Sequence, residues 1–187
     1  MRLAAPRVAP LQDSELTDEQ REALAPVTDR RPAINIYRTM AHAPKALTRF
    51  LQWGGYVLSR RNSLPARERE IVILRVGFLC KSGYEFTQHT RIGLNEGLTE
   101  AEIGKIKAGA DAGWSEADAA LIRAADELVK DHFVTDATWA ALGRHFDEKQ
   151  RMDVVFTAGQ YTQVSMFLNT FGVQLEPGAK LDPELRA

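Results

Sequence analysis

The stretch Glu70-Ile-Val-Ile-Leu-Arg-Val-Gly-Phe-Leu-Cys-Lys-Ser-Gly-Tyr-Glu-Phe-Thr-Gln-His89 decides the fold. It reads as the end of one helix, a tight break at Lys81-Ser82-Gly83, and the start of a second helix. The run from Ile71 to Val76 is rich in β-branched residues and could pass for a strand. Pro65 at a start position and Arg67-Glu68-Arg69-Glu70 behind it favour a buried helix instead. Glu85 and His89 stand four residues apart, so they share a helix face about 6 Å apart along the axis. A hairpin over residues 65–96 brings Glu70 toward them. A carboxylate beside an imidazole is a common acid/base pairing, because each charge tunes the proton affinity of the other.

Outward from the hairpin the pattern stays helical. On the N-terminal side, residues 1–16 carry Pro6 and Pro10 without periodicity and read as an extended arm. Thr17 to Gln20 is a capping-box start, and a short helix is expected to about Ala25, ahead of Pro26. Pro44 fits the first turn of a helix whose middle is weakened by Gly54-Gly55. On the C-terminal side, Gly97 is a natural helix stop. Thr99, Ser115, Thr135 and Asp147 each open a further helix, the last and longest carrying Val154, Tyr161, Val164 and Leu168. That last helix is apolar over much of its circumference, through Val155, Phe156, Met166, Phe167 and Phe171, which suggests a subunit interface in a chain this short. No stretch alternates over strand length, so the expected class is all-α. The expected organisation is an arm with a short helix over 1–31, a helical domain over 32–178, and a polar tail over 179–187.

The totals narrow the function. Twenty-four basic and 25 acidic residues nearly cancel in 187, so there is no electrostatic case for nucleic acid or an anionic membrane. The one cysteine, Cys80, excludes an intramolecular disulfide and a multi-cysteine metal site, and suits a reducing cytoplasm. No apolar run approaches the ~20 residues that span a bilayer. His42, His132 and His145 have no metal-ligand spacing. A cytoplasmic protein that binds no metal, acts on a small molecule and assembles as a homo-oligomer is expected.

The hairpin resembles that of the carboxymuconolactone decarboxylase and alkylhydroperoxidase D-like superfamily. The peroxidase branch of that family carries a glutamate, eleven residues, Cys-x-x-Cys, three residues and a histidine. On this chain the glutamate falls on Glu70, the cysteines on Ser82 and Glu85, and the histidine on His89. Arg69-Glu70-Ile-Val-Ile-Leu-Arg-Val before the break, Gly97-Leu-Thr-x-x-Glu-Ile103 after it, and Gly159-Gln-Tyr-Thr162 also look like the family, and the likeness covers about residues 32–178. The resemblance implies an all-helical bundle that forms trimers, hexamers or related rings. Both redox cysteines are absent, and serine and glutamate can neither attack a peroxide as a thiolate nor resolve a disulfide. The decarboxylase branch keeps Glu-x-x-x-His in the second helix, here Glu85 and His89, and uses no metal, thiol or organic cofactor. It removes carbon dioxide from an unsaturated lactone carboxylic acid.

The resemblance thus implies Glu70, Glu85 and His89 as proton-handling residues, with Ser82, Tyr84, Arg75 and Tyr161 as substrate contacts, Arg75 holding an anionic substrate. Plain structural readings stand beside these. Ser82 and Glu85 also form a Ser-x-x-Glu capping box. Glu70 could pair with Arg69 or Arg75, and Cys80 could be a small buried hydrophobe. The favoured function is a cofactor-free lyase or isomerase acting on a lactone or unsaturated carboxylic acid. The alternatives are a non-catalytic oligomeric binding protein of the same fold and a peroxidase relying on Cys80.

Overall fold

The computed structural model describes residues 1–29 and 32–186, and the expected boundary at residue 31 lies outside the described residues. Among the described residues the chain is all-α. The helices are α1 (Asp18–Thr28), α2 (Asn35–Met40), α3 (Pro44–Val57), α4 (Ala66–Leu79), α5 (Gly83–Asn95), α6 (Glu100–Ala108), α7 (Glu116–Lys130), α8 (Asp136–Gly143) and α9 (Glu148–Phe171). The caps follow the sequence: Thr17, Thr99, Ser115, Thr135 and Asp147 each accept a backbone N–H from the first turn of the helix they open. One boundary differs. Helix α1 runs through Pro26 to Thr28 rather than stopping before the proline. Pro26 sits in the last turn, and both it and Glu22, whose carbonyl it leaves without its helical donor, are exposed residues.

Helix α4 is the axis of the molecule. Every residue from Arg69 to Gly77 is buried, which explains why the Ile/Val run shows no amphipathic stripe. Helices α5, α6, α7 and α9 pack around it. Its ends are tied by ions: Arg67 reaches Asp118 of α7 and Glu102 of α6, and Arg75 reaches Asp126 of α7. After Leu79 the chain reverses through Lys81, whose φ is +52°, and the Ser82 N–H donates to the Gly77 carbonyl at 2.8 Å. Helix α5 then lies back along α4. It comes close at Gly93, where a Cβ would sit 3.6 Å from the Cβ of Glu70 and 3.3 Å from a Leu74 methyl. That small contact area lets the two backbones approach.

Helix α9 divides its apolar residues. Val154, Tyr161, Val164 and Leu168 are buried, whereas Met166 is 60% exposed in the single chain. The arm packs on its own chain: the N–H groups of Arg7 and Val8 donate to the Phe171 carbonyl. The segment after α9 is docked, with Leu185 buried and Leu181 against the core.

Gly172 is the hinge of this packing. It ends α9 in the left-handed region, φ +69°, and a Cβ there would meet the Ala5 carbonyl oxygen at 2.9 Å. Gly172→Ala should therefore lower stability by about 1–3 kcal/mol in urea unfolding, through both the left-handed backbone and the displaced arm. Wild-type stability in that variant would contradict the packing described.

Candidate active site

Glu70 leaves α4 toward α5 and is fully buried. Its Oε2 lies 2.7 Å from His89 Nδ1. A carboxylate can only accept, so Nδ1 carries the hydrogen and the ring is held in one orientation. On the other side of the ring, Nε2 is 3.0 Å from Glu85 Oε1. That contact is close in distance, but Oε1 has no hydrogen-bond partner, so it lies off the N–H direction. Tyr161 of α9 stands edge-on to the imidazole, ring centres 4.9 Å apart. The three groups expected to meet do meet.

Glu85, His89, Tyr84 and Tyr161 line one cavity of about 370 Å³, within the usual size of a small-molecule site. Its walls are largely apolar: Ile34, Ile36, Phe50, Leu51 and Val164 close it from α2, α3, α9 and the segment before α2. Gln160 from α9 and Gln88 and Arg91 from α5 supply the other polar groups. Glu70 does not line the cavity; it supports His89 from behind. A larger, more open groove of about 830 Å³ shares no lining residue with this cavity and carries none of the acid/base residues.

The electrostatics follow from burial. Desolvation pushes the Glu85 carboxyl up to about 7, with the neighbouring Glu70 charge adding to it and His89 opposing it. For His89, desolvation pulls the imidazole down, but the charges of Glu70 and Glu85 and the Glu70 hydrogen bond outweigh it, and the net shift is upward. Tyr161 is driven well above its ordinary range, first by burial and then by the two carboxylates. A neutral carboxylic acid and a protonated imidazole can thus coexist near neutral pH.

Two expected contacts lie elsewhere. Arg75 faces away from the cavity: its Nη1 donates to the carbonyls of Ile106 and Lys107, at 2.8 and 2.9 Å, and its Nε to Asp126. It sits five residues beyond Glu70, on a different side of a helix buried all round. Ser82 is fully buried outside the cavity, and its Oγ bonds to nothing. It occupies the N-cap position of α5 without capping it, so the Ser82/Glu85 capping box does not form. Tyr84 does reach the cavity, with its hydroxyl donating to Glu176 Oε1 at 2.6 Å. Glu176 also accepts from Gln88 and from the Asn35 N–H, so it ties three parts of the cavity wall together. No motif pointed to Glu176, Gln88 or Arg91. Glu70 pairs with His89 rather than with an arginine. Among the described residues no group of three or more His, Cys, Asp or Glu side chains is arranged to hold a metal ion, and no helix is long and apolar enough to cross a membrane.

The fold and site define a class: an all-helical protein, among the described residues, whose central hairpin carries two carboxylates and an imidazole. The model of the carboxymuconolactone decarboxylase family matches residues 44–127, from α3 into α7, and that segment holds Glu70, Glu85 and His89. Among solved structures, the alkylhydroperoxidase core of an uncharacterized peroxidase-related protein from Ralstonia eutropha superposes with a TM-score of 0.78 at 19% identity, covering 93% of this chain and 95% of that one. An uncharacterized peroxidase-related protein from a Silicibacter species gives 0.72 at 14% identity, covering 95% and 93%. The debrominase Bmp8 in complex with 2,3,4-tribromopyrrole gives 0.73 at 13% identity, covering 93% and 94%. At these identities the likeness concerns the fold. No curated protein sequence matches the chain.

The Glu85 burial has a pH signature. Between the unfolded value of 4.5 and the folded value of about 7, the folded chain holds a proton on Glu85 that the unfolded chain has lost. Raising the pH through this window therefore favours unfolding, by on the order of 3 kcal/mol in full. Glu85→Gln removes that dependence. Its stability relative to wild type should rise steadily from about pH 5 to pH 8 in parallel urea titrations. A difference that stays flat across the window would mean that Glu85 is not held neutral.

Proposed function

We propose that this protein is a cofactor-free acid/base enzyme of the lyase or isomerase type, acting on a lactone or related unsaturated carboxylic acid. The observation that carries the reading is the buried Glu70–His89–Glu85 array opening onto a mostly apolar cavity. In a decarboxylation, the carbon–carbon bond to the carboxylate breaks and carbon dioxide leaves. The bond's electron pair moves into the conjugated carbonyl as an enolate. A proton must then be delivered to carbon. His89 Nε2, with Glu85 beside it, is the donor on the cavity side, and Glu70 orients the ring and stabilises its positive form. The spent proton returns from water through Glu85, whose value near 7 allows both transfers at neutral pH. An isomerisation uses the same groups, with Glu85 taking the proton that His89 returns elsewhere on the substrate. Gln160 in the cavity can donate to the enolate oxygen.

Arg91 lines the cavity, is exposed, and has no ion-pair partner among the described residues. It takes the anchoring role that Arg75 cannot fill, by holding the substrate carboxylate at the rim. The thiol of Cys80 opens onto the other groove, and burial pushes it up in pKa, which suits neither a thiolate nor a reaction in this cavity.

A panel of unsaturated lactone acids and enoic acids, assayed for carbon dioxide release and double-bond migration, tests the reading. With a substrate found, His89→Ala should lose about 10²–10⁴ in kcat. Turnover of His89→Ala near the wild-type rate would end the assignment. Arg91→Ala should raise KM about tenfold and leave kcat within about twofold, because an anchoring contact acts equally on ground and transition states. An unchanged KM would remove Arg91 from the site.

A further inference from the structure

The open groove of about 830 Å³ is built by the N-terminal arm, the α4–α5 turn, the second half of α9 and the C-terminal segment. Four cations line it: Arg2, Arg7, Lys81 and Arg186. Arg2 donates to the Cys80 carbonyl at 3.3 Å, and the side chains of the other three have no hydrogen-bond or ion-pair partner among the described residues. The one acid on its edge, Glu184, is already held by Lys107. For a chain whose net charge is −1, four basic side chains around one groove, with no carboxylate but Glu184 among its described lining residues, make a concentrated positive field. The floor is polar as well. Asn169 and Thr170 line it, and so does Ser165, which is 1% exposed. Lys81 also keeps a left-handed backbone that glycine would adopt without strain. Its side chain, not its backbone, is what that position supplies to the groove.

We propose that this groove is a second binding site, separate from the acid/base cavity, for a small organic polyanion carrying two or more phosphate groups. Three guanidinium forks match phosphate oxygens in pairs, and the lysine adds a point charge. The unmatched charge calls for a ligand with several negative charges rather than a single carboxylate. The size suits a nucleotide. Leu3 and Met166 on the rim offer an apolar surface for its non-phosphate part.

Isothermal titration of the full chain at low salt with inorganic pyrophosphate, with ADP, and with acetate as a monoanion control tests this. Pyrophosphate and ADP should bind, acetate should not, and affinity should fall as salt is raised. The triple variant Arg7→Ala, Lys81→Ala, Arg186→Ala should weaken both by about tenfold or more with an unchanged melting temperature. In the wild-type protein, ADP should slow alkylation of Cys80, which lines the same groove. Equal affinity for the two ligands would mean that phosphates alone are read, and tighter ADP would mean that the rim takes the nucleoside; either supports the site. Absence of heat and of Cys80 protection at millimolar ligand overturns it. So does unchanged affinity in the triple variant, or binding confined to long polyanions such as RNA. His89→Ala should bind these ligands as wild type does, so failure here and failure of the acid/base reading are distinguishable.

Discussion

The 2.7 Å contact between Glu70 and His89 is the constraint on which the structure turns. It joins two antiparallel helices across a region that excludes water, and neither group tolerates that burial alone. A buried carboxylate without a partner costs several kcal/mol, and so does a buried imidazolium. The pair therefore requires α4 and α5 to stay in close register, and the small residue at Gly93 makes that approach possible. It also requires α4 to be the most enclosed element of the molecule. Of the arginines that might have neutralised Glu70, Arg75 binds α6 and α7 and Arg69 reaches the Ser59 carbonyl at 3.4 Å instead. The result is an ionic frame at the periphery and one acid/base pair inside.

That separation sets the chemistry available. Two carboxylates and one imidazole share a small buried volume, where charging all three at once is disfavoured. The strain falls on Glu85, which has no hydrogen-bond partner for Oε1 and is raised to about 7. A group poised there is a competent proton donor and acceptor at neutral pH, which is the property a reaction without thiol needs. Glu85 and His89, which touch the cavity, come from α5 and Tyr161 beside them from α9, whereas Glu70, which orients the imidazole, comes from α4. Cys80 lies on the α4–α5 turn and opens onto a different groove, so the only sulfur nucleophile in the chain is kept out of the acid/base volume.

Much of this was readable in the residues. The hairpin, the break at Lys81-Ser82-Gly83 and most helix starts follow from local rules, because a cap or a left-handed turn is decided by a few neighbouring atoms. Pro26 was misread because a proline in a last turn is tolerated when the orphaned carbonyl reaches water, and local sequence does not report exposure. Arg75 and Ser82 were misplaced for a related reason. Periodicity locates a helix face only when one face is polar, and around Arg75 helix α4 is buried on every side. Nothing in the pattern says which neighbour an interior side chain meets.

The sequence by itself determined that the chain is helical, that its centre is a reversing pair of helices, and that Glu85 and His89 share a face one turn apart. These are short-range matters of spacing, capping and composition. Only the tertiary structure decided that Glu70 stands behind the imidazole rather than beside the substrate space. It also decided that Glu176, 87 residues beyond His89, ties Tyr84, Gln88 and the start of α2 into one wall. Those outcomes depend on the packing of α9 against the hairpin and on α2, α3 and the final segment closing the cavity wall. Packing of that kind is a collective solution to burying apolar surface while leaving few buried polar groups unpaired, and no single stretch of chain contains it.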